Sequence, residues 1–274
     1  MQKISQKYLN HFVFRKKDLF LENLSYTSIR SICEVKNMPI HFHPDRWKQI
    51  REDYDLWWNR KLDRPIIKMP IFDAYQPIGK LPKAPLLCQA NCHDFQYTPE
   101  QIIQTIDYEL SKIEFLGDSF PIVNFDVFGP GITSAFCGAK LDNHSGSVWF
   151  FPKEKKPIEE IQIKYNPDNQ WVERIKSIYL AGQKKWEDQV LMSMPDLGGV
   201  LDIVAVFRET ENLLIDLYDT PEEVLRLCDE AYTAWMEAYH DLNSVLQPIN
   251  PGYSDWGAFI VINLPISYNL IFPI

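Results

Sequence analysis

Apolar positions along the chain follow two spacings, one helical and one extended. Trp47, Ile50, Tyr54, Trp57 and Trp58 recur at helical intervals, and "RPIIKMPIF" behind them reads as a buried strand. "YTPEQIIQTIDYELSKIEFLG" predicts a second helix. Thr98 is placed to cap it, Pro99 suits its first turn, Gln101 completes a capping box, and Gly117 stops it. "FPIVNFDVFG" predicts a short strand that ends at Asp126. "PDNQWVERIKSIYLAGQKKW" predicts a helix and "DQVLMSM" the strand after it. "DTPEEVLRLCDEAYTAWMEAYHDLNSVL" predicts a long helix, with Thr220 as cap, Pro221 in the first turn and Glu223 reaching back. "INPGYSDWGA" reads as a last strand and its exit.

Strands alternating with helices imply βα units and a parallel sheet. The expected fold class is therefore α/β, of the (β/α)8 barrel type. Such a barrel needs about 250 residues, and the strands between Ile66 and Trp256 supply only about half of its staves. Two insertions, "QPIGKLPKAPLLCQANCHDFQY" and "LDNHSGSVWFFPKEKKPIEEIQIKY", take up the remaining length. The pattern suits the first half of a barrel, or a smaller doubly wound sheet. The ends differ in texture from this middle. Residues 1–37 lean toward Lys and Arg and carry no clean period, so Met38 reads as close to the natural start, with an extension or flexible arm before it. Residues 38–256 form the expected barrel domain. Residues 257–274 are an uncharged apolar tail. A membrane anchor needs roughly 20 apolar residues, and this stretch is broken by Asn263, Pro265, Asn269 and Pro273. The tail is expected to mark a truncated or out-of-frame C-terminus.

Composition narrows the classes. The 274 residues are 46% hydrophobic and 24% charged, ordinary for a soluble globular protein. The net charge of −9 argues against wholesale binding to nucleic acid or to an anionic membrane. Five irregularly spaced cysteines without a secretory signal read as reduced thiols in a cytoplasmic protein. An aromatic content of 14%, with eight Trp, points to large buried clusters or a pocket that stacks flat ligands.

Barrels and open parallel sheets bind ligands where strands end at their carboxyl edge. The residues just past each expected strand are Asp73, Asp126, Asp196 and the pair Asp255–Trp256. Asp is also a common turn former and helix cap. Several acids on one rim are more informative than one, because crowded carboxylates raise one another's pKa and call for a cationic or proton-donating ligand. Asp126 and Asp196 are the candidate catalytic residues. Asp73, Phe128, Gly129, Gly131, Asp255 and Trp256 are the candidate substrate contacts. In "NFDVFGPGITSAFCGA", Gly129 and Gly131 permit close backbone approach, and amides near Ile132 could face an anion. The loop has neither dinucleotide-fold nor P-loop spacing. His41, His43, Cys88, Cys92 and His93 lack the paired spacing of a structural zinc site, so no metal site is assigned to this chain.

"YDLWWNRKLDRPII", "FGPGITSAFCGAK", "SVWFFP" and "PDLGGVLDIVAVFRETENLLIDLYDTPEEVLRLCDEA" together resemble the uroporphyrinogen decarboxylase-like superfamily, over roughly Trp47 to Trp256. That group includes the decarboxylase and the corrinoid- and coenzyme-M-linked methyltransferases. The resemblance implies a (β/α)8 barrel with its pocket at the strand carboxyl ends, and Asp126 as the carboxylate that gathers a tetrapyrrole's N–H groups without metal or cofactor. Two departures weigh against decarboxylase activity. The arginine-rich substrate motif is missing, with Arg60 and Arg64 in another setting, and Ile203 to Val206 are apolar where the family has a tyrosine. In the methyltransferase branch zinc is held by a late His-x-Cys and a later Cys, positions that would fall beyond Trp256, so zinc belongs to a full-length relative. The expected partners are a small-molecule substrate, a tetrapyrrole or methyl donor, a corrinoid protein in the methyltransferase branch, and a second subunit, since the family often pairs. The alternative readings are a truncated non-catalytic remnant and a small-molecule binding protein of the same fold.

Overall fold

The structure is a computed structural model, and it describes residues 40–77, 79–254 and 257–261. The helices are α1 (Arg46–Trp58), α2 (Pro99–Leu110), α3 (Thr133–Phe136), α4 (Gln170–Trp186), α5 (Val200–Arg208), α6 (Thr210–Asp219) and α7 (Pro221–Leu246), the last three in succession without a strand between them. The strands are β1 (Lys68–Ile71), β2 (Glu114–Gly117), β3 (Ile122–Val123), β4 (Lys140–Asp142), β5 (Trp149–Phe151) and β6 (Leu191–Met192). The fold thus mixes helix and strand, with helix predominant. Among the described residues the strands form three two-stranded sheets, β1–β2, β3–β6 and β4–β5, and no closed barrel. No helix there is long and apolar enough to cross a membrane.

The parallel pair is β3–β6, with Ile122 opposite Leu191 and Val123 opposite Met192. The chain from Asn250 to Ser254 is hydrogen-bonded to the other edge of β6. The Asn250 side chain accepts from the Met192 N–H and donates to the Met192 carbonyl, both at 3.0 Å. The Met194 N–H donates to the Ser254 carbonyl at 2.8 Å. Residues 250–254 thus lie along the other edge of β6 without forming a strand of the sheet, and Tyr253 makes an isolated antiparallel bridge with Val261. Helix α4 covers the pair. Its Ile175, Ile178 and Tyr179 are fully buried, and the Tyr179 hydroxyl donates to the Ser193 carbonyl at 2.8 Å. Gly182 lets β6 approach the helix: a Cβ there would stand 2.6 Å from the Met192 sulfur. Helices α2 and α7 both pack on α4, and Ile102, Ile103 and Ile106 of the one and Ala231, Ala234 and Ala238 of the other are buried in the shared core. Each large apolar side chain so buried contributes about 1.5–3 kcal/mol.

Local signals were honoured where nothing distant competed. Thr98 and Gln101 form the full capping box on α2, with the Gln101 N–H on the Thr98 hydroxyl and the Thr98 N–H on the Gln101 amide oxygen. Elsewhere tertiary contacts prevailed. The helix expected to run to Gly117 stops at Leu110, and Glu114–Gly117 instead pairs antiparallel with β1. Gly117, at φ +59°, admits the Ile67 carbonyl, which a Cβ would meet at 2.4 Å. Arg46 binds the Phe115 and Gly117 carbonyls at 2.6 and 2.8 Å and fixes that strand. The strand expected to be buried, β1, has one face open, with Met69 and Ile71 47% and 44% exposed. A two-stranded ribbon covers only one face. Thr220 does not cap α7: its hydroxyl is buried without a partner. Glu223 turns instead to Arg226, which also holds the Ile158 and Ile161 carbonyls. The second expected insertion contains the β4–β5 hairpin.

Candidate functional site

The exits of β3 and β6 meet at their carboxyl ends. Polar residues inside otherwise apolar strands begin the connection. The Ser193 hydroxyl accepts the Phe125 N–H at 3.0 Å and lies 3.3 Å from the Asn124 side-chain oxygen, which also accepts the Asp126 N–H at 3.1 Å. Asp126 opens a single turn of 3-10 helix, Asp126–Phe128, and is half-buried. Gly129 follows at φ 86°, ψ 157°, a region only glycine occupies comfortably. A Cβ on Gly129 would stand 2.5 Å from the Val148 side chain.

Beyond it the two loops touch backbone to backbone. Gly131 and Gly198 both have positive φ, +80° and +72°, and a Cβ on Gly198 would lie 2.6 Å from the Gly131 Cα. The Asp196 carbonyl accepts both the Gly131 and Ile132 N–H groups, at 3.0 and 3.2 Å. These amides, expected to be open to an anion, are instead satisfied by the neighbouring strand exit. The Asp196 carboxylate accepts the Gly198 N–H at 2.9 Å, and the Trp235 indole N–H donates to the Gly198 carbonyl at 2.9 Å. Asp202 accepts the Gly199 N–H at 2.9 Å and so serves the start of α5. The structure thus brings Asp126, Gly129, Gly131 and Asp196 onto one seam.

The remaining candidates lie elsewhere. Phe128 is fully buried in the core. Asp73 is exposed at φ +54° on the turn after β1 and pairs with Lys112 at 3.2 Å. Asp255 and Trp256 lie outside the described residues. A cavity of about 340 Å³ joins the β1 and β3 exits. Phe72 and Asp73 line it from the first, Asn124, Phe125 and Val127 from the second, and Leu86, Ile106 and Lys112 from between. Asp126 is bracketed by residues of this wall. Sequence reasoning missed Lys112, Ser193 and Trp235. Ser193 did carry a signal, as a hydroxyl in an apolar strand. Lys112 and Trp235 look like ordinary helix residues until the chain folds.

Among the described residues no three His, Cys, Asp or Glu side chains are placed to hold a metal ion. His41 stacks on Tyr75 with ring centroids 3.7 Å apart, and His93 Nδ1 lies 2.6 Å from the Asn143 amide nitrogen. Burial pushes the Cys92 and Cys137 thiols up to about 12. Compared with known proteins, the chain matches no family model, no curated protein and no solved structure.

Proposed function

We propose that the chain is an enzyme of the uroporphyrinogen decarboxylase-like superfamily, built on the opening βα units of a (β/α)8 barrel. It works in the cytoplasm on a small molecule held at the strand carboxyl ends, in the manner of the methyl-transferring branch, with a corrinoid protein as methyl carrier. The observation that carries this reading is the seam at Gly131 and Gly198, where two adjacent parallel strands deliver Asp126 and Asp196 to one rim. The neighbouring placement of Asn250–Ser254 beside β6 supports the barrel order. The free thiols of Cys88, Cys92, Cys137 and Cys228 agree with a reducing compartment.

In this reading Asp126 holds or relays a proton beside the reacting group. Asp196 holds the rim closed through its carbonyl, and Gly131 and Gly198 let the two loops meet there. The described residues offer no zinc donor set, so thiol activation is not assigned to them. The lack of the family's arginine-rich substrate motif in the sequence weighs against a substrate with many carboxylates, which needs several cationic clamps.

The test is methyl transfer from methylcobalamin to 2-mercaptoethanesulfonate, followed by loss of the cobalt–carbon absorbance. Carbon dioxide release from uroporphyrinogen is measured beside it. Methyl transfer that falls at least about tenfold in Asp126→Asn is the expected result. Carbon dioxide release without methyl transfer would move the chain to the decarboxylase branch. Neither activity in a folded protein would refute the enzyme reading and leave a binding protein of this fold.

A further inference from the structure

We infer that the cavity between the β1 and β3 exits takes a small amine: an apolar body held by the walls, and one ammonium group held at the mouth by Asp73 and Glu109. The walls are apolar, with Leu86, Leu87, Ile106, Leu110 and Phe125 among them. A cavity of about 340 Å³ lies at the small end of ligand sites, the size for a short alkylamine or arylalkylamine. Every charged residue on its described lining sits at one place. Lys112 Nζ lies 2.5 Å from Glu109 and 3.2 Å from Asp73. Two carboxylates there share one ammonium, so the mouth carries an unbalanced negative charge that an incoming cation neutralises. An incoming carboxylate would crowd a third acid around the same lysine.

The geometry permits the exchange. Glu109 holds Lys112 closely, whereas the Asp73 side chain is 78% exposed. A solvent-facing carboxylate in such a pair gains little from it, so Asp73 turns from Lys112 to a ligand at little cost. Phe72, 69% exposed, lines the same end of the cavity and adds apolar surface there. Asn124 is the one uncharged polar residue on the described lining, which leaves the cavity's interior to apolar groups.

This inference deepens the reading above, on which it rests only for the cavity's being a substrate site. Binding itself is independent of the reaction. The experiment is calorimetric titration of the full chain at neutral pH with hexylamine, hexanol and hexanoate, and with phenethylamine as a bulkier probe. The amines are expected to bind at least about tenfold more tightly than hexanoate. Asp73→Asn should weaken hexylamine by about fivefold and leave hexanol unchanged. Leu87→Trp, which fills the cavity, should abolish binding of all probes. A circular dichroism spectrum and melting curve confirm that each variant is folded. Hexanoate binding as tightly as hexylamine would overturn the inference, as would amine binding unaffected by Asp73→Asn, or no amine binding at all. Methyl transfer without amine binding removes the ligand class and keeps the enzyme reading. Amine binding without methyl transfer does the reverse.

Discussion

The seam between the β3 and β6 exits makes a paired prediction at Gly198 and Gly131. Alanine at either position must adopt a left-handed backbone, φ +72° or +80°, at a cost of about 1–2 kcal/mol. The two sites then diverge. At Gly131 the new Cβ meets nothing closer than the Gly198 Cα at 3.9 Å, an ordinary contact. At Gly198 it would lie 2.6 Å from the Gly131 Cα and 3.3 Å from the Gly131 nitrogen. Those are backbone atoms and cannot rotate away, so the loops must part. Parting them strains the Gly131 and Ile132 bonds to Asp196 and the Trp235 bond to Gly198. Overpacking of this kind adds about 1–3 kcal/mol. Gly198→Ala should therefore lose about 2–5 kcal/mol and Gly131→Ala about 1–2 kcal/mol. Urea unfolding followed by tryptophan fluorescence measures both, with slopes compared to confirm that the unfolded states match. Equal losses, or a larger loss at Gly131, would refute the close approach. A loss under about 0.5 kcal/mol at Gly198 would refute the positive φ as well.

The two helix starts offer a contrast. Thr98→Ala should cost about 0.5–2 kcal/mol because it removes a working cap. Thr220→Val should be neutral or stabilising because it removes a buried hydroxyl without a partner; thermal melting distinguishes them. Trp235→Phe should cost about 1–3 kcal/mol by leaving the Gly198 carbonyl unpaired, and urea unfolding followed by circular dichroism measures it. Acid sensitivity should trace to Asp118. Burial raises its pKa, but hydrogen bonds from Arg64 and the Ile67 N–H outweigh burial and hold the carboxyl below its usual range. A carboxyl depressed in the folded state stabilises fully above the unfolded value of about 3.9, and that stability fades as the pH falls below it. Arg64→Met should lower the urea midpoint at neutral pH and flatten this acid limb, because it lets the folded-state pKa of Asp118 rise; an unchanged profile would count against the pairing. Among the described cysteines, exposed Cys88 should react first with a thiol reagent, while buried Cys92 and half-buried Cys137, both with thiols pushed up to about 12, should stay protected in peptide mapping.

The candidate site was legible in part. Asp126 and Asp196 stand out in the sequence because each follows an apolar strand, and the glycines near them mark turns. That the two turns touch is not written locally. Gly131 and Gly198 are far apart in the chain, and nothing near either one specifies the other. The same holds for the cavity. Lys112 reads as the end of a helix, and only the return of the chain as β2 sets it beside Asp73. The amides near Ile132 illustrate the converse. They look free in the sequence because their acceptor, the Asp196 carbonyl, belongs to a distant loop.

The sequence by itself determined the helices that carry strong periodicity, the cap at Thr98, and the strand-to-turn switches at Asp126 and Asp196. Those features depend on residues within a few positions of one another, where side-chain spacing and backbone preference act directly. The tertiary structure decided the end of α2 at Leu110, the loss of the Thr220 cap, the half-open face of β1 and the meeting of the glycine loops. In each case a distant group supplied a hydrogen bond or a packing surface that outweighed the local preference. Local propensities differ by fractions of a kcal/mol, whereas one buried contact or satisfied polar group contributes about 1–3 kcal/mol.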